Sequence, residues 1–78
     1  MTALRKIDRT TDHERALRNV RDAGSRGLVV AADLMTLSQR ELVDLGHLLR
    51  EPYGEWHYRL TLSASGYAIV DRAEPYWP

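Results

Sequence analysis

The stretch that decides the fold is EWHYRLTLSASGYAIVDR, residues 55–72. Apolar and polar side chains alternate from Trp56 to Ser63, which is the pattern of a half-buried β-strand. The sequence SASG at 63–66 is typical of a turn, and residues 67–72 contain a β-branched pair that favours a second strand. These residues therefore predict a β-hairpin.

A tight turn in this hairpin would place Leu60 opposite Ile69, so that the apolar side chains of both strands share one face. The alternative is that Ser63 caps a helix over residues 64–73. The β-branched residues in that segment argue against a helix without excluding it. The sequence leaves this alternative open.

Two capping boxes predict helices upstream of the hairpin. The first is TDHE at residues 11–14, and the helix that it begins ends at Gly24, a typical left-handed cap. The second box joins Ser38 to Glu41, and Pro52 ends the helix that it begins. In each box, two side chains satisfy amides of the first helical turn that lack an intrahelical partner.

A short apolar run at residues 28–32 predicts a buried strand between the two helices. The fold class is therefore α+β, with two helices packed on a small, mostly antiparallel sheet in the order helix-strand-helix-strand-strand. We expect a single domain over residues 11–73. An N-terminal arm at 1–10 precedes it, and a tail of prolines and aromatics at 74–78 follows it.

Length, charge and cysteine content exclude several classes of protein. A chain of 78 residues holds one core, and 11 basic against 11 acidic residues leave no cationic field for non-specific nucleic-acid binding. Without cysteine there is no disulfide framework and no thiolate site. The longest apolar run is too short for a membrane helix, so we expect a cytoplasmic protein with no membrane partner.

No motif in the sequence indicates catalysis. The three histidines, His13, His47 and His57, lack the spacing of a zinc-binding helix, and neither a nucleophile elbow nor a phosphate-binding loop is present. His13 lies on the apolar arc of its helix, which predicts a hydrogen-bonded histidine at the edge of the core. We therefore expect a protein that is not an enzyme and that binds neither a metal nor a small-molecule cofactor.

Two short segments resemble winged-helix domains, which are relatives of helix-turn-helix regulators. The segment LSQREL at 37–42 is similar to the opening of a helix in helix-turn-helix regulators, and residues 58–66 resemble the strand and wing region. The resemblance implies a DNA-binding regulator in which the second helix enters the major groove. It assigns base reading to Ser38, Gln39 and Arg40, and it places Arg59 and Arg72 beside the wing.

The charge distribution weighs against that assignment. Residues 28–54, which hold the recognition helix of such a domain, contain Arg40 and Arg50 but also Asp33, Glu41, Asp44 and Glu51. Each phosphate contact needs a cation, so this segment is a poor DNA ligand unless arginines of the first helix contribute. DNA binding is therefore the alternative hypothesis.

The aromatic residues are concentrated at one end of the chain. Four Tyr and two Trp all lie from residue 53 onward, and there is no Phe. Tyr, Trp and Arg are the residue types that dominate protein-binding hot spots. The predicted partner-binding residues are Tyr53, Trp56, His57, Arg59, Tyr76 and Trp77.

The sequence thus favours a non-catalytic regulator or inhibitor that occludes a larger protein partner or associates with itself. Small phage-encoded inhibitors of host or defence machinery act in this way. No residue pattern identifies such a family here.

Overall fold

The computed structural model describes the backbone of residues 2–76 and the side chains of residues 12–71. Within that part of the chain, no helix is long and apolar enough to cross a membrane. The elements in order are α1 (Thr2–Asp22), β1 (Leu28–Ala31), a short 3-10 helix (Ala32–Leu34), α2 (Leu37–Asp44), β2 (Leu48–Tyr53), β3 (His57–Leu62) and α3 (Ala64–Tyr76).

The three strands form one antiparallel sheet in the order β1-β3-β2. The helices pack on one face of this sheet, where Leu60 at the centre of β3 is fully buried. The α+β class is confirmed, and the predicted order of helix, strand, helix, strand and strand is followed by a third helix. The described core consists of Ala16, Leu17, Val20, Met35, Leu42, Leu48, Leu60, Leu62 and Val70.

Helix α2 begins two residues earlier than predicted. Thr36 is its N-cap: the Thr36 hydroxyl accepts from the amide of Gln39, and the Gln39 side chain accepts from the amide of Thr36. The predicted box between Ser38 and Glu41 is therefore wrong. Thr36 and Gln39 have the same spacing as the predicted pair and satisfy the corresponding amides two residues earlier, those of Thr36 and Gln39.

Helix α2 also ends earlier than predicted, because Gly46 terminates it. Gly46 has a φ of +84°, its amide donates to Val43, and the amide of His47 donates to the carbonyl of Leu42. These two bonds form a Schellman motif, which requires a left-handed residue that glycine adopts most easily. The prediction that the helix continues to Pro52 is wrong, since residues 48–53 form strand β2.

The hairpin exists, but it lies one element earlier in the chain than predicted. Strand β3 pairs with β2 rather than with residues 67–72, and those residues belong to α3. The open alternative, a helix capped by Ser63, is therefore the observed structure: the Ser63 hydroxyl accepts from the amide of Gly66. The hydroxyl also donates to the carbonyl of Gly46 at 2.6 Å, which joins the end of α2 to the start of α3.

The chain ends differ from the predicted division as well. Helix α1 begins at Thr2 and so includes most of the segment expected to form an arm, and α3 extends to Tyr76 within the segment expected to form a tail. The predicted cap after the first helix is present, since Gly24 has a φ of +85° and its amide donates to Arg21. Trp77 lies outside the described residues.

Candidate functional site

The β2–β3 hairpin presents two large aromatic side chains at its tip. Tyr53 and His57 form the last cross-strand pair, and Gly54, with a φ of +74°, turns the chain between them. Trp56 is 73% exposed and Tyr53 is 52% exposed. A backbone hydrogen bond from Ala32 to the carbonyl of Trp56 (2.8 Å) connects the tip to the end of β1. The rings are therefore exposed on a loop that the sheet supports on both sides.

Arg59 is held in place on the outer face of the hairpin, opposite the helices. Its Nη2 and Nε atoms lie 2.9 and 3.0 Å from one carboxylate oxygen of Glu51, its direct cross-strand neighbour. The guanidinium carbon also lies 5.8 Å from the centre of the Tyr53 ring. An exposed ion pair contributes at most about 1 kcal/mol to stability. Its larger effect is to orient the guanidinium and the ring beside it.

A second arginine and tyrosine stack on the opposite face of the hairpin. The guanidinium carbon of Arg50 lies 4.6 Å from the centre of the Tyr58 ring. This cation–π contact covers the half-buried Tyr58, so Tyr58 serves the edge of the core rather than an open surface. The two faces of the hairpin are therefore different, and only the outer one carries an exposed aromatic ring.

We call the exposed group at the tip and on the outer face the hairpin surface, and it consists of Leu49, Glu51, Tyr53, Trp56, His57 and Arg59. Four of the six predicted partner-binding residues belong to it: Tyr53, Trp56, His57 and Arg59. The side chain of Tyr76 and the whole of Trp77 lie outside the described residues. Sequence analysis missed Glu51. Its contact with Arg59 depends on the register between β2 and β3, whereas the sequence predicted that Glu51 lies in the second helix.

The residues that the winged-helix resemblance assigned to DNA are not gathered on one surface. Gln39 is only 8% exposed and uses its side chain to cap α2, so it is not free to read bases. Arg40 is exposed on α2 and Ser38 is half-buried. Arg59 lies on the sheet face that points away from the helices and is paired with Glu51. The side chain of Arg72 lies outside the described residues.

Two histidine contacts join the helices to one another. His13 and Glu41 are 2.7 Å apart and join α1 to α2 at the edge of the core, which confirms the prediction for His13. His47 Nδ1 lies 2.8 Å from the Ser65 hydroxyl, which also contacts the carbonyl of Gly46 and so belongs to the junction between α2 and α3.

Three depressions lined by described side chains are open to solvent, and none of them holds a metal-binding cluster of described residues. The depression beside His13, Glu41, Asp44 and Leu45 has a volume of about 380 Å³ and is open to solvent. Among the described side chains, no group of three or more metal-ligating residues is brought together. The hairpin surface is therefore the candidate functional site.

Comparison with known proteins identifies no family: no family model matches the chain, and neither the curated proteins nor the solved structures give a significant match.

Proposed function

We propose that the protein is a non-catalytic regulator that binds a larger protein through the hairpin surface and acts by occluding the site that it covers. The observation that carries this proposal is Trp56, a large ring that is 73% exposed at a loop fixed by β1, β2 and β3. Tryptophan contributes more binding energy per residue than almost any other side chain when a partner covers it.

The surroundings of Trp56 also suit a protein interface. Arg59 is oriented by Glu51 and the Tyr53 ring, so little side-chain entropy is lost when a partner contacts it. Aromatic rings next to an oriented arginine, with a carboxylate and an exposed leucine at the rim, resemble the composition of protein-binding sites. Occluding a partner requires a binding surface and no catalytic group, and an inhibitor of host or defence machinery is one such role.

Replacing Trp56 by alanine tests the proposal. We expect the variant to bind the partner at least about 30-fold more weakly, corresponding to about 2 kcal/mol, because the ring is lost from the centre of the contact. The partner is first captured from the native host on the immobilised wild-type protein, and its affinity is then measured by calorimetry.

The matched control is Leu37→Ala, since Leu37 is 71% exposed on α2, away from the hairpin. This variant should bind within about threefold of wild type. Equal affinities of wild type and Trp56→Ala, with both proteins folded by circular dichroism, would contradict the proposal.

A winged-helix DNA-binding regulator is the second candidate. The observation that favours it is the placement of α2 immediately before a two-stranded hairpin in a sheet of order β1-β3-β2, with Arg40 exposed on α2. Only the 3-10 helix at Ala32–Leu34 stands where that family has a separate second helix. In a gel shift at about 0.15 M salt, DNA binding that Arg40→Ala abolishes and Trp56→Ala leaves unchanged would favour this candidate over the first.

A further inference from the structure

An exposed tryptophan and two exposed acidic residues lie at the same end of the sheet. The amide of Ala32, directly after β1, donates to the carbonyl of Trp56, directly before β3. Asp33 follows Ala32 and Glu55 precedes Trp56, so the two acidic residues flank this hydrogen bond. The side chain of Leu34 beside them is 73% exposed. We call this group the acidic end of the sheet, and it consists of Asp33, Leu34, Glu55 and Trp56.

The two carboxylates have no counterion within the described part of the chain. Both side chains are exposed, and neither Asp33 nor Glu55 takes part there in an ion pair or a side-chain hydrogen bond. The segments that meet at this end, residues 31–34 and 53–57, contain no lysine or arginine. Arg59, further along β3, is already held in an ion pair. The acidic end therefore attracts a cation and repels a phosphate.

The hairpin itself shows which cation its rings accept. Two of its tyrosines are each next to an arginine of the same chain: the guanidinium carbon of Arg50 lies 4.6 Å from the Tyr58 ring centre, and that of Arg59 lies 5.8 Å from the Tyr53 ring centre. Trp56 is the most exposed of the described aromatic rings and has no such neighbour among the described arginines. Tryptophan is also the aromatic side chain that binds cations best. Trp56 is therefore open to an arginine from outside the chain.

We infer that the acidic end binds an arginine side chain of the partner protein, with the guanidinium stacked on Trp56 and donating hydrogen bonds to the carboxylates of Asp33 and Glu55. A planar guanidinium can stack on a ring while its edge bonds to carboxylates, and its aliphatic stem can pack against Leu34. This inference rests on the proposed function and adds the chemistry of the partner, which is a basic protein surface.

A short capped peptide of alternating arginine and glycine tests this chemistry without the partner. In a heteronuclear NMR titration we expect it to shift the indole N–H resonance of Trp56 saturably, with a dissociation constant of about 1 mM. The resonance is assigned by its loss in Trp56→Phe. Raising the salt concentration from about 0.05 to 0.5 M should weaken binding at least about threefold, because the contact depends on exposed charges. The same peptide with glutamine in place of arginine should leave the resonance unmoved.

The double variant Asp33→Asn with Glu55→Gln keeps the shape of both side chains and removes their charges. It should raise the dissociation constant of the arginine peptide by about three- to tenfold. Asp44→Asn is the matched control, since Asp44 is also exposed but ends α2 before β2 begins, at the other end of the sheet, and it should bind as wild type does. Equal binding by wild type and the double variant would overturn the inference, as would equal shifts with the arginine and glutamine peptides.

The captured partner separates a failure of this inference from a failure of the proposed function. If Trp56→Ala binds the partner as wild type does, the proposed function fails. If Trp56→Ala weakens binding and the double variant does not, the proposed function stands and the inference is overturned, because the partner then covers Trp56 with a group other than arginine. Weaker binding by both variants supports both.

Discussion

Leu60→Ala is expected to lower the free energy of unfolding by about 3 to 5 kcal/mol. Leu60 has no exposed surface and lies on the central strand β3, where it contacts the layer of helices. Its removal loses apolar burial and leaves a cavity that neighbours on both flanking strands cannot fill without moving. A domain of this length has a total stability of about 4 to 12 kcal/mol, so the loss is a large fraction of the whole.

Urea unfolding followed by circular dichroism measures this effect. In thermal unfolding, the melting temperature of the variant should be lower than that of wild type by about 15 °C or more. Leu45→Ala is the control, since Leu45 is 61% exposed, and it should change stability by less than about 0.5 kcal/mol. A Leu60→Ala protein as stable as this control would show that the sheet does not pack as described.

Gly66→Ala is expected to destabilise the protein by about 2 to 3 kcal/mol, although helix propensity alone predicts the opposite sign. Gly66 lies in the first turn of α3, and a Cβ built there would overlap the backbone carbonyl oxygen of His47. A backbone atom cannot rotate away as a side chain can, so α3 would have to move off the sheet. Alanine in a helix is otherwise favoured over glycine by about 1 kcal/mol.

The sign of the change therefore decides whether α3 approaches the chain at His47 as closely as described. The control is Ala68→Gly at an exposed position of the same helix, which should cost about 0.5 to 1 kcal/mol through propensity alone. A Gly66→Ala variant that is more stable than wild type in urea unfolding would contradict the close contact.

Local sequence patterns predicted those helices and strands that can be recognised without knowing which distant segment they pair with. Strand β3 follows from its strict alternation, β1 from its apolar run, and the buried face of α1 from the spacing of Ala16, Leu17 and Val20. The alternation in β3 and the spacing in α1 each predict one period and one buried face. The apolar run predicts a strand but no face, and the expectation that it is buried is wrong, since β1 is an edge strand in which Val29 is 42% exposed. The α+β class followed from them.

The position of the hairpin did not follow, because two segments competed to pair with β3. Residues 48–53 begin with leucines that continue the spacing of α2, although that helix ends before Gly46. Residues 67–72 have β-branched side chains but begin at a good helix cap, Ser63. Pairing with β3 is a tertiary choice, and tertiary contacts override weak local preferences.

The candidate site was predicted in residue type but not in geometry. The sequence shows that the aromatic residues cluster from residue 53 onward and that Arg59, a residue type common in binding hot spots, lies among them. The contact of Arg59 with Glu51 and Tyr53 could not, since it requires the β2–β3 register. Gln39 was assigned to base reading because its role as a cap becomes visible only when the helix begins at Thr36.

Fluorine NMR of Trp56 in the complex tests the central claim most directly. In a Trp77→Phe variant labelled with fluorotryptophan, Trp56 is the single labelled ring, since the chain has two tryptophans. The account predicts that adding the captured partner moves this resonance and removes its shift between light and heavy water, because the exposed ring becomes buried. A resonance that keeps both its position and its solvent isotope shift in the saturated complex would contradict it.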